Sequence, residues 1–309
     1  MPQIERNLSL VIPVYNRSAD VDRLLASFAH HEVLPGEIIL VDNNSTDDTP
    51  GVLSRHAKIL CGFGCRAIVA NCERRGASSA RNEGLRQVSA PWVMFFDSDD
   101  EIGPRHFANI SHAIAANVSA DIIGWDCPDD NGVRRFHASD CQRRNLYNGS
   151  MATQRWCARA DLVRRSGAWD EQVGYWDDIE LGARMLALTP KVVHVGLADV
   201  LLHDNPISIT ASGRGNPHAC HPALERLEQT LAGCWGAKKA KFRVALKKVV
   251  EYANLSRLKR AVTDADTMDK MLKNTLEPFS FYPRTLLTLA FQFRKYGGRG
   301  AWLASYFYF

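Results

Sequence analysis

The feature of this chain that most limits how it can fold is an alternation in its first hundred residues. Short apolar runs take turns with stretches of helical spacing. Leu8-Ser9-Leu10-Val11-Ile12-Pro13-Val14-Tyr15-Asn16 is apolar on both faces, the pattern of a buried parallel strand. Ser18 to His31 follows with Val21, Leu24, Leu25 and Phe28 along one side, and Ser18 or Asp20 can cap that helix. A second run, Glu37-Ile38-Ile39-Leu40-Val41, ends in Asp42-Asn43-Asn44-Ser45-Thr46-Asp47-Asp48-Thr49. That string is rich in turn and cap residues, so a helix starts near Thr49-Pro50. Arg66 to Ala70 reads as a third strand, Arg74 to Leu85 leads into and through a helix, and Trp92 to Phe96 is a fourth strand. The order β-α-β-α-β-α-β predicts an α/β fold with a mainly parallel central sheet and helices on both faces.

The fourth strand ends abruptly in charge. Val93-Met94-Phe95-Phe96 runs straight into Asp97-Ser98-Asp99-Asp100, bounded by Pro91 in front and Gly103-Pro104 behind. Carboxylates packed this closely repel one another unless something positive sits between them. Hard cations such as Mg²⁺ or Mn²⁺ take oxygen ligands and bridge one or two carboxylates to a substrate's phosphates. Ligands in open α/β sheets collect beyond the carboxyl ends of the strands. Asp97-Ser98-Asp99 is therefore a candidate metal–diphosphate site. The plain alternative is an acidic turn capping a helix over Glu101–Phe107.

A chain of 309 residues suggests one large domain with an appendage, or two domains. The polar start Met1 to Asn7 lacks the pattern of a signal peptide, and no window approaches the ~18 uninterrupted apolar residues of a membrane span. The eight cysteines form no CxxC pair and have no His partners at zinc spacing, which reads as incidental thiols in a reduced, cytoplasmic protein. The net charge of +4 hides an asymmetry: residues 213–309 carry +10 and the rest −6. An acidic body with a basic tail implies two surfaces with different partners.

Four strings in order, Leu10-Val11-Ile12-Pro13-Val14-Tyr15-Asn16, Val41-Asp42-Asn43-Asn44-Ser45-Thr46-Asp47, Ala80-Arg81-Asn82-Glu83-Gly84 and Phe96-Asp97-Ser98-Asp99-Asp100, resemble glycosyltransferase family 2. Further on, Gly167-Ala168-Trp169-Asp170-Glu171 and Trp176-Asp177-Asp178-Ile179-Glu180-Leu181 are similar to that family's Gly-Gly-Phe-Asp-Glu and Glu-Asp-x-Glu-Leu, with Asp177 in place of the usual Glu. The resemblance covers about residues 8–212. It implies the GT-A fold, a Rossmann-like nucleotide-diphospho-sugar transferase architecture, and inverting transfer of a sugar from a nucleotide donor. A domain boundary is set accordingly, with residues 1–212 catalytic and 213–309 a helical extension.

The same resemblance implies roles. Asp42 and Asn43 lie near the base and Asp97 near the ribose, with Pro13, Tyr15, Asn16, Ser98 and Asp177 completing the nucleotide-sugar site. Arg81 offers charge-assisted bonds to phosphate. The family often has Asp where Asn43 stands, although Asn can still offer a donor and an acceptor to a uracil edge, so UDP remains the expected nucleotide. Mn²⁺ or Mg²⁺ would sit on Asp99, helped by Asp97 or His203, the last of these in His203-Asp204-Asn205-Pro206-Ile207-Ser208-Ile209-Thr210. Asp178 takes the position of the general base; its plain alternative is an N-cap opening a helix over Ile179–Leu188.

In the extension, Lys238 to Val262 has Phe242, Leu246, Val249, Ala253 and Leu258 along one side. The last 29 residues hold ten aromatics, including Trp302, Tyr306, Phe307, Tyr308 and Phe309, beside Arg294, Lys295 and Arg299. They suit either an anionic membrane, keeping the enzyme at the inner face near a lipid-linked acceptor, or packing onto the catalytic part. No nucleic-acid motif accompanies them. Acceptor recognition is expected from loops at Asp126–Tyr147 and Asp204–His221, in surface or capsular polysaccharide synthesis. Two other readings stand beside this one. A nucleotidyltransferase would carry a Gly-rich phosphate loop after the first strand, where Pro13-Val14-Tyr15-Asn16-Arg17 stands instead. A catalytically inactive sugar-nucleotide-binding or scaffold protein would have no need of Asp97, Asp99 and Asp178 together.

Overall fold

A computed structural model of the chain describes residues 1–129, 132–203, 216, 218–258 and 265–307. The Asp204–Thr210 string, most of the second expected acceptor loop, and Tyr308 and Phe309 lie outside them. In chain order the strands are β1 (Gln3–Val14), β2 (Val33–Asp42), β3 (Arg66–Asn71), β4 (Trp92–Phe95), β5 (Glu101–Ile102), β6 (Ile122–Asp129), β7 (Gly132–Arg134), β8 (Trp156–Arg159), β9 (Val192–Leu197) and β10 (Val200–Leu201). The helices are α1 (Ser18–Ser27), α2 (Thr49–Gly62), α3 (Ala77–Gln87), α4 (His106–Ala116), α5 (Cys141–Asn148), α6 (Ala160–Arg165), α7 (Asp177–Ala187), α8 (His221–Trp235), α9 (Ala237–Leu258), α10 (Ala265–Leu276), α11 (Phe281–Lys295) and α12 (Ala304–Phe307).

The central sheet runs β3-β2-β1-β4-β8-β6-β7, with β9 also paired to β6. Its first half is parallel throughout, β1 pairing with both β2 and β4, and β2 with β3. This is the half that the alternating runs predict. Beyond β4 the sheet turns antiparallel at β8 and β6. Where the plain alternative had a helix over Glu101–Phe107, the chain forms the short strand β5, paired with β10, followed by α4 from His106.

Burial follows from the doubly covered sheet. Leu8, Leu10, Ile12, Ile38, Leu40 and Met94 pack to one side with α1, α2 and α4, whereas Val11, Ile39, Val41, Val93 and Phe95 pack to the other with α3, α6 and α7. Alternate residues of one strand serve opposite cores, which is why the runs read as uninterrupted apolar sequence. Gly84 explains how α3 reaches the second core. A Cβ there would stand 2.3 Å from Val11 Cγ1 and 3.2 Å from Val41 Cγ2, so only glycine lets the helix lie this close to β1 and β2.

The C-terminal helices do not stand apart. α8 and α9 share a core with α5 and α7, joining Leu146, Ile179 and Ala183 to Leu224, Leu227, Leu231 and Val244. A further cluster knits α9 to α10 and α11 through Phe242, Leu246, Val249, Ala253, Met271, Leu287 and Phe291. The apolar side read from α9's periodicity is the buried one: Phe242, Leu246, Val249 and Ala253 are fully buried. α11 buries Leu287 and Phe291 but leaves Phe281, Leu289, Phe293 and Tyr296 on the surface. All eight cysteines are free thiols. Among the described residues no helix is long and apolar enough to cross a membrane.

Candidate active site

At the carboxyl ends of β1 and β4 the sheet opens into a cleft of about 880 Å³. Ten of the side chains singled out from sequence line it: Pro13, Tyr15, Asn43, Arg81, Asp97, Ser98, Asp99, Asp177, Asp178 and His203. Asn16 and Asp42 are not among its lining residues and instead shape the turn beside it. Asn16, at φ 48°, accepts the Thr46 N–H at 2.7 Å, and Asp42 accepts the Ser45 N–H at 3.2 Å. Asn43 holds the loop before α3, donating to the carbonyls of Cys72 (3.0 Å) and Arg74 (2.7 Å) and accepting the Gly76 N–H at 2.8 Å.

The centre of the site is Arg81. Seated on α3 and buried, it donates to Asp97 Oδ1 and to Asp177 Oδ2, both at 2.8 Å, while its guanidinium stacks 4.4 Å over the Trp169 ring. Burial alone would weaken its charge, but Asp97 and Asp177 hold it above the ordinary arginine value. Asp177 also accepts from Ser78 Oγ at 3.0 Å. Motifs distant in sequence are thereby tied to one another. Asn82, next to Arg81, exchanges hydrogen bonds of 2.9 Å with both the N–H and the carbonyl of Trp169.

Asp178 sits in the first turn of α7, just after Trp176, whose φ of 60° turns the chain into the helix. It is not the N-cap; its Oδ1 accepts the N–H of Ile179 at 2.7 Å. Burial and then the Asp177 carboxylate push its pKa well above the ordinary 3.8, against the pull of that N–H and of Arg81.

The acids after β4 have distinct partners. Asp97 has both oxygens engaged, one by Arg81 and the other by Gln154 Nε2 at 2.7 Å. Asp100 accepts from Gln154 at 2.6 Å and from the His203 backbone N–H at 2.8 Å; burial and Asp97 push it up to about 8. The His203 ring is turned to Glu101, at 3.1 Å. Asp99 faces the cleft with Arg17 3.7 Å away. Among the described residues no three His, Cys, Asp or Glu side chains converge as a ready-made metal cage. A carboxylate on the cleft still fits Mg²⁺ or Mn²⁺ at a phosphate site, because such ions take most of their ligands from phosphate and water.

Sequence reasoning missed Arg17, Gln154, Arg155 and Lys247, all on the cleft. Gln154 and Arg155 belong to no motif. Their only sequence signal is a Gln-Arg pair leading into the apolar Trp156-Cys157-Ala158, two polar side chains where a strand begins.

Comparison with known proteins identifies the family. Residues 9–162 match the model of glycosyl transferase family 2. The chain is 31% identical over 194 residues, 62% of its length, to the PGL/p-HBAD biosynthesis glycosyltransferase of Mycobacterium bovis, 75% of which it covers. It is 34% identical over 223 residues, 58% of its length, to the validoxylamine A glucosyltransferase of Streptomyces hygroscopicus. The chain spans about half the length of the Streptomyces protein, 48%. Its fold matches that of S. aureus TarS residues 1–349, solved in complex with UDP-GlcNAc, at a TM-score of 0.67 and 16% identity, covering 98% of this chain and 91% of that one. The chain belongs to glycosyltransferase family 2 and has the GT-A fold.

Proposed function

We propose that this protein transfers a sugar from a UDP-sugar to a hydroxyl of a glycan or lipid-linked acceptor, with inversion at the anomeric carbon. One observation carries the reading: a carboxylate with a raised pKa, Asp178, opens onto the same cleft as Asp97-Ser98-Asp99. The TarS structure with UDP-GlcNAc supports the choice of nucleotide.

In this reading Asp99 would hold Mn²⁺ or Mg²⁺, which when bound neutralises the charge that develops on the departing diphosphate. Arg17, beside Asp99, adds a second positive charge on that side. Asp97, pinned by Arg81 and Gln154, presents a fixed carboxylate edge to the ribose hydroxyls. Asp178 accepts the proton of the acceptor hydroxyl as its oxygen bonds to the anomeric carbon and the bond from that carbon to the diphosphate oxygen breaks. A single base with no protein nucleophile means a single displacement, and hence inversion. Asp177 and Arg81 act through position, holding the start of α7 against the end of β4.

The exposed Phe281, Leu289, Phe293 and Tyr296 of α11, beside Lys295 and Arg299, favour contact with an anionic membrane surface at the inner face, where lipid-linked acceptors reside. The test of the catalytic assignment is a split between two variants. D178N should keep nucleotide affinity and lose about 10²- to 10⁴-fold in transfer, whereas D99A should lose metal-dependent nucleotide binding. Normal turnover by D178N would remove Asp178 from the mechanism.

A further inference from the structure

The cleft also carries a set of basic side chains that the donor chemistry leaves unused. They are Arg155, Arg134 of β7, Lys247 and Arg257 of α9, and Arg294 of α11. The acid beside them on α9, Glu251, is already matched by Lys247 at 3.2 Å. The carboxylates Asp97, Asp99, Asp100, Asp177 and Asp178 line the same cleft at the strand ends and the start of α7, and Arg155 follows directly on Gln154, which bonds Asp97 and Asp100.

Arg155 is the decisive residue. It is only 1% exposed, yet among the described residues its Nε and Nη2 meet no hydrogen-bond partner; only Nη1 is engaged, donating to the Gly149 carbonyl at 2.9 Å. No carboxylate pairs with it among the described residues, and burial lowers its pKa below the ordinary arginine value. A charge taken out of water without a partner is costly. A group so placed is explained by a ligand that completes it. The two idle nitrogens are the side edge of the guanidinium, the edge that grips two oxygens of a phosphate at once.

We propose that the acceptor of this enzyme carries a phosphate group, and that Arg155, supported by Arg134, Arg257 and Arg294, binds it within this cleft. The inference rests on the glycosyltransferase reading above and adds the chemical class of the acceptor. The phosphate could belong to a soluble phosphodiester chain or to a lipid phosphate headgroup, and the same arginines serve either.

The test is calorimetric titration of inorganic phosphate into the whole chain, once alone and once saturated with UDP and Mg²⁺. UDP is titrated separately. The wild type should bind phosphate in both states. R155Q should weaken that binding about tenfold or more, the loss of a bidentate charged pair, while leaving UDP affinity unchanged. R257Q, at an exposed position, should weaken it a few-fold and guards against a folding defect in R155Q. Equal phosphate affinity in wild type and both variants, or no phosphate binding by the wild type, would overturn the proposal. So would loss of UDP binding in R155Q, which would assign Arg155 to the donor diphosphate. If UDP fails to bind the wild type while phosphate binding still depends on Arg155, the anion site stands and the donor reading falls. Repeating the titration with glycerophosphoglycerol, and with phosphatidylcholine vesicles carrying polyprenyl phosphate, separates the two sources: whichever ligand loses affinity in R155Q is the class these arginines recognise.

Discussion

Among single residues, Asp178 and Arg81 show how position sets chemistry. In the proposed mechanism Asp178 serves as the base only when ionised, and burial beside Asp177 raises the pH at which that happens above the ordinary 3.8. Transfer should therefore fall as pH drops through a limb placed higher than that of a normal carboxylate. A pH profile of single-turnover transfer reads this directly, and a limb at or below pH 4 would contradict the cause given. Arg81 could be recognised in the sequence only as a member of a motif. Its double pairing with Asp97 and Asp177, 16 and 96 residues away, depends on helix packing that no local pattern encodes. Gln154 and Arg155 were silent for the same reason: their meaning lies in what faces them.

Elements explain why the motif strings occur together. Ala80 to Gly84 is one turn and a half of α3: Arg81 faces the cleft, Asn82 fastens the Trp169 segment, and Gly84 touches the sheet. G84A would force a methyl into Val11 and should cost about 1–3 kcal/mol, measured by urea unfolding; an unchanged midpoint would mean that α3 has slack the structure denies. The parallel half of the sheet was legible because each strand is buried on both faces and each crossover helix is amphipathic. The antiparallel half was not, because β8 and β6 are short runs whose direction is set by partners far along the chain. The helix that the alternative reading placed over Glu101–Phe107 is absent there because β5 pairs with β10, which supplies its backbone bonds.

For the whole molecule, the C-terminal helices share a core with α5 and α7 and line one cleft together with the strand ends. The charge asymmetry in the sequence pointed to a second surface; that part of this basic segment would wall the site was not readable from it. Acid should lower the stability of the molecule. His31 and His106 are buried, with pKa values depressed by burial to about 4 and about 3. Their unfolded forms take up protons near pH 6.5, so stability falls as pH drops below that value, by up to about 1.4 kcal/mol per pH unit for each histidine. Unfolding midpoints at pH 7 and pH 5 should differ, and a variant carrying H31F and H106F should narrow the gap; equal midpoints in the wild type would refute it. Membrane contact is tested by the exposed face of α11 alone. F281E with L289E and F293E should release the protein from anionic vesicles in flotation without disturbing Leu287 and Phe291 in the core beneath. Flotation unchanged by the three substitutions would dismiss that surface.

The central claim is that this cleft holds a nucleotide diphosphate through a divalent ion on Asp99. Titrating UDP, GDP and CDP into the protein with and without Mn²⁺ addresses it most directly. The account predicts binding of UDP above the others, dependent on Mn²⁺ and lost in D99A. Metal-independent binding that survives in D99A, or no binding of any nucleotide, would contradict it.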